Sequence, residues 1–167
     1  MSIYTKMEGT AMEAYRAMIG TLKKKAMQEL KLPEGEIIVR SLRPEDLGLT
    51  NPDWTFTITA NSWNLLVPNY TVADNRFVGV NAVFVAESGE QAVTQLKVTS
   101  MGKDKRYWQI QGANFLQDQT EYFDDPITVD QNTPITIMGY APSGTSDTAF
   151  RCIFLGAVAE KKGVLVS

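Results

Sequence analysis

The chain has 167 residues, 44% apolar and 21% charged, enough for one well-buried core and short for two domains of usual size. Sixteen Lys and Arg stand against nineteen Asp and Glu, a net charge of -3 with no extended basic block, so no specific nucleic-acid site is predicted. Histidine is absent and cysteine occurs once, which removes the commonest metal ligand, the commonest general base and any intrachain disulfide.

Met1 to Lys6 shows no charged segment followed by an apolar run, and no window holds the ~20 apolar residues of a membrane span. The expectation is a chain made soluble in the cytosol. From Thr5 to Leu32 the sequence predicts one long amphipathic helix. Ala11, Tyr15, Met18, Leu22, Ala26 and Leu30 recur at steps of three and four, and Pro33 and Gly35 end the pattern. At about 1.5 Å per residue this helix is about 40 Å long, comparable to the width of a small domain. Its apolar stripe has to be buried somewhere. Those six residues are the candidate inter-subunit contact, with packing on the same subunit and contact with a membrane surface as the alternatives.

After Pro33 the period changes to short β-rich runs between turn residues. Strands are predicted at Ile37 to Ser41, Trp54 to Asn61, Phe77 to Ala86, Val93 to Thr99, Tyr107 to Gly112, Ile127 to Val129, Ile135 to Ala141 and Phe150 to Ala157, with a further one at Val164 to Val166. No later helical period bridges parallel strands. The fold class is therefore mainly β: an antiparallel sandwich or jelly roll of about eight strands, preceded by the helix. Residues 1–34 form the helical arm and residues 35–167 the sandwich. Phe77 to Ala86 is apolar throughout, which predicts a central strand or one covered on its second face.

Catalytic groupings are sparse. Ser100 beside Lys103 and Lys105 reads as a polar hairpin, not as an activated nucleophile. Asp124-Asp125, Asp130, Glu45-Asp46 and Asp147 lack the spacing of a cation loop and read as solvated loop acids, with Asp125-Pro126 as a turn. Gly139, Gly144, Gly156 and Gly163 have no following helix to form a phosphate loop. No enzyme activity, cofactor or metal is expected. Cys152, within an apolar run, reads as a small core residue, and Trp54, in an inward series, reads as core. Tyr107 and Trp108 are adjacent and must point to opposite faces of a strand. Trp63 and Trp108 are the candidate exposed aromatic contacts.

A helical arm on an eight-stranded, turn-rich sandwich resembles the single jelly-roll capsid proteins of tailless icosahedral viruses of bacteria and archaea. The stretch Arg40-Ser41-Leu42-Arg43-Pro44-Glu45-Asp46-Leu47-Gly48-Leu49 and the closing Phe154-Leu155-Gly156-Ala157-Val158-Ala159-Glu160-Lys161-Lys162-Gly163 resemble segments of viral structural proteins. The resemblance implies a virion component whose partners are copies of itself and other capsid proteins. The alternative is a non-catalytic β-sandwich module that binds carbohydrate or another ligand.

Overall fold

The computed structural model describes residues 9–87, 89–145 and 147–163. Helix α1 (Gly9–Leu30) precedes nine strands among the described residues: β1 (Ile37–Ser41), β2 (Thr55–Ile58), β3 (Ser62–Thr71), β4 (Arg76–Val85), β5 (Gln95–Ser100), β6 (Lys103–Gln109), β7 (Thr120–Val129), β8 (Pro134–Ala141) and β9 (Asp147–Lys161). The predicted strand at Val164 to Val166 and the helix start at Thr5 lie outside the described residues.

Every strand pairing is antiparallel. One sheet runs β1-β9-β4-β7, with β2 also on β9, and the other runs β3-β8-β5-β6. The pairs β2·β9, β3·β8, β4·β7 and β5·β6 nest one inside the next. That is a jelly roll: one long antiparallel hairpin wrapped so that its arms divide between two sheets. Alternation drives it. Along β8 every second residue is buried, and Ile135 and Ile137 meet Leu96, Val98, Val80 and Phe154 in the core between the sheets.

The hairpin β5–β6 closes on Met101 and Gly102, both at positive φ, a two-residue turn whose twist matches its strands. The sequence pattern does not reveal β3. Pro68 and Asn69 look like a turn, but β3 is an edge strand, where a missing N–H is tolerated, and register shifts at Leu65/Val67 and Val67/Tyr70 absorb the irregularity. Asp125-Pro126 is not a break between strands either. It lies inside β7, in a bulge of residues 123–126 that faces the single residue Asn81 of β4.

Helix α1 lies on the outer face of the β1-β9-β4-β7 sheet. Met18, Leu22 and Ala26 are buried there on Phe77, Ile37, Ala157 and Ala159 of the same chain, with Tyr15 and Leu30 half-buried at the margins and Ala11 half-buried near the start. The centre of the stripe thus packs on its own subunit, one of the alternatives for it, while Ala11, Tyr15 and Leu30 keep part of their surface exposed. The apolar side chains on both faces of β4 and β9 leave an outer surface that the helix covers, and the same packing turns the centre of the stripe away from any lipid surface. The helix ends where Lys31 takes a left-handed conformation and the Leu32 N–H donates to the Met27 carbonyl, a Schellman cap.

One end of the core is closed by charge. Arg40 of β1 holds Asp46 with two bonds of 2.7 Å and donates through Nε to Glu160 of β9 at 2.9 Å, and Arg76 of β4 approaches Glu160 at 3.3 Å. Glu160 and Asp46 are buried. Asp46 is thus not a solvated loop acid. A short 3-10 turn, Pro44–Leu47, carries it back beneath β1, and its carboxylate also accepts the Arg43 N–H at 2.8 Å.

Candidate functional site

The two sheets differ on their outer faces: α1 covers one and nothing in the described chain covers the other. On that second face the register places Leu65, Met138, Lys97 and Tyr107 in one row across β3, β8, β5 and β6, with Trp63, Tyr140, Gln95 and Gln109 in the adjoining row. At the usual strand spacing each row is roughly 15 Å long. Leu65 is 59% exposed and Tyr107 51% exposed, while Trp63, Met138 and Tyr140 are half-buried.

Trp63 organises the patch. Its ring lies 5.4 Å from that of Tyr140 and 6.4 Å from that of Tyr107, the latter edge-on at 72°. Lys97 Nζ sits 4.6 Å above the Trp63 ring, which its charge favours and which leaves its stem packed on the patch. Tyr107 is fixed at its far end, donating its hydroxyl to Asp104 at 2.7 Å, and Thr99 donates to the same carboxylate at 3.1 Å. These two hydrogen bonds, Tyr107 first, hold the Asp104 carboxyl below its ordinary range; the bond to Asp104 holds the Tyr107 hydroxyl above its own. The rings are presented in a fixed arrangement on a rigid sheet.

The candidate aromatic contacts separate here. Trp63 lies on the outer face. Trp108 does not: it is 4% exposed, stacked on Phe123 at 4.0 Å and 7°, and its indole N–H donates to Asp125 at 3.0 Å. Strand alternation sends Tyr107 outward and Trp108 into the core, and the β7 bulge brings Phe123 and Asp125 to meet it. Trp54 is in the core, edge-on to Phe154 at 5.8 Å. Leu65, Tyr140 and Lys97 escape the sequence reading because period-two alternation shows which residues share a face of one strand but not which strands are neighbours.

The remaining polar candidates do not converge. Ser100 is buried and donates to the Pro134 carbonyl at 2.6 Å. The exposed Asp125 pairs with Arg106 at 3.2 Å and the half-buried Asp130 with Lys25 at 3.0 Å. Cys152 is fully buried, and burial first, then the Glu87 charge, pushes its thiol far above the ordinary range. Among the described residues no three of His, Cys, Asp and Glu gather to hold a metal, and no helix is long and apolar enough to cross a membrane.

No protein-family model matches the chain, and no curated protein matches it. Among solved structures it is similar to a chain in the crystal structure of an infectious bursal disease virus VP2 subviral particle, with a TM-score of 0.41 and 14% identity. The match covers 76% of this chain and 33% of that one.

Proposed function

We infer that this chain is a self-assembling structural protein, a coat component of a virion whose partners are copies of itself and other coat proteins. The observation that carries this reading is the uncovered aromatic face built on Trp63, Leu65, Tyr107 and Tyr140. Aromatic side chains on rigid strands bring contact area at low entropic cost, and a central patch of this kind is what subunit interfaces use. The architecture supports it by analogy, since jelly rolls recur in viral capsid domains, although lectins and cupins share them. No residue is assigned a catalytic role. With the centre of the α1 stripe packed on its own sheet, the second sheet is the face this reading gives to subunit contact, and repetition of a modest contact in a closed lattice makes it collectively stable.

Light scattering behind size exclusion, followed by electron microscopy of the largest species, tests the reading. The intact chain is expected to form closed or sheet-like assemblies, and Leu65→Lys with Tyr107→Asp, both at exposed positions, to yield a folded monomer. A monodisperse monomer from the unaltered chain, or assemblies indifferent to the double substitution, would overturn it.

A further inference from the structure

At the end of the jelly roll opposite the Arg40 cluster, the β4–β5, β6–β7 and β8–β9 connections surround a groove of about 520 Å³. This is the size range of small-molecule sites. Its floor is polar and buried: Gln91, Asn114 and Thr145 are 5%, 7% and 9% exposed.

Each of the three is held in place. Gln91 donates to the carbonyls of Val93 at 2.5 Å and Ile110 at 2.7 Å and accepts the Asn114 N–H at 3.1 Å. Asn114 donates through Nδ2 to the Gly89 carbonyl at 2.6 Å, and the Thr145 hydroxyl lies 3.1 Å from the Ala92 carbonyl and 2.8 Å from that of Pro142. Asn114 Oδ1 is buried and has no hydrogen-bond partner among the described residues. At the rim stand Gln111 and Phe115, the latter 76% exposed.

The chemistry of the lining narrows the ligand. Among the described residues no cation lines the groove, which disfavours phosphate and other anions, and Glu90 is the one carboxylate, too few for a metal ion. Among the described residues the large apolar side chains of the lining are Phe115 and Pro142, too few for a lipid-like ligand. Amides and hydroxyls that both donate and accept, beside one exposed ring, match a molecule with many hydroxyls and an apolar C–H face. We propose that this groove is a binding site for a neutral saccharide, with the buried amides of Gln91 and Asn114 as its floor and Phe115 as its stacking platform.

Ligand-observed NMR titration of the full chain with galactose, N-acetylglucosamine, lactose and cellobiose, and with galactose 6-sulfate as a charged control, tests this. At least one neutral saccharide is expected to saturate in the millimolar range. Phe115→Ala and Gln111→Ala, both at exposed rim positions, are each expected to weaken it about tenfold, with thermal melting and size exclusion of each variant matching the parent. No saturation by any neutral saccharide, saturation by the sulfated sugar alone, or an affinity that both substitutions leave unchanged would each overturn the assignment.

Discussion

Met18 of the helix rests on the bare Cα of Gly79 in β4. A Cβ at position 79 would come within 2.6 Å of Met18 Sδ and 3.0 Å of Leu22 Cδ1, so the absence of a side chain lets the helix settle onto the sheet. Opposite Gly79 in β9 stands Ala157, itself buried beneath the helix, and the neighbouring Gly156 has no room for a Cβ against the Gly79 carbonyl. Small residues on two adjacent strands form the seat.

Gly79→Leu is therefore expected to lift α1 while leaving the core between the sheets closed, at a cost of about 1–3 kcal/mol. Gly79→Ala should cost less, because the Met18 thioether is the end of a flexible side chain and can turn aside. Limited proteolysis reads this directly: new cleavage within residues 9–30 of the leucine variant is expected, and equal protection of both variants would contradict the packing.

The Arg40 cluster sets up a second contrast. Asp46→Ala leaves the terminal nitrogens of Arg40 without their 2.7 Å partner and the Arg43 N–H without an acceptor, in a place where both carboxylates are buried. Loss of one member of a buried ion group costs about 3–5 kcal/mol. Asp130→Ala breaks the more exposed pair with Lys25 and should cost less than about 1 kcal/mol. Urea midpoints of the two variants, compared with the parent, would show whether burial separates them.

Burial raises the Cys152 thiol, so at pH 8 it stays protonated and shielded in the folded protein. A chromogenic disulfide reagent should find no thiol in the native chain and one per chain in urea. Rapid labelling without denaturant would mean that β9 opens locally.

Burial also raises the Glu87 carboxyl, with the nearby Asp147 charge adding to it and a hydrogen bond from the Arg151 N–H opposing it; burial likewise raises Glu121, reinforced by Asp124 and Asp118. A folded chain that binds these protons more tightly than the unfolded chain is most favoured while they are bound, and that contribution disappears as pH rises through the folded-state values. Glu87→Gln, which stays neutral, is therefore expected to gain on the parent as pH rises from about 4 to 7. Urea melts across that range would show it, and a difference that does not vary with pH would refute it.

Particular elements show how far the sequence can be read. Ile37 to Ser41 is legible to the residue, because a run of β-branched residues bounded by turn formers has few alternatives. In β6 the pattern finds the right side chains on the wrong span: the strand begins at Lys103, since the charged residues of an exposed edge strand look like a loop. Pro68 and the bulges around it hide β3. Asp46 reads as solvated because nothing local reports that a turn folds it under Arg40, and the Gln91–Asn114 floor carries no sequence signal because its members lie on different connections.

What the sequence determined by itself was local and periodic: a helix with one apolar stripe, strands with one buried face, the exclusion of histidine chemistry and disulfides. These follow from φ/ψ preferences and from the spacing of apolar residues along a single element. Tertiary structure alone decided which surface each element meets. The stripe of α1 fell to its own sheet because Gly79 and Ala157 leave a seat there, and the aromatic face on the second sheet stayed open because no other element of the described chain reaches it. Both outcomes depend on strand order, set by pairings between residues far apart in sequence, and no local pattern encodes them.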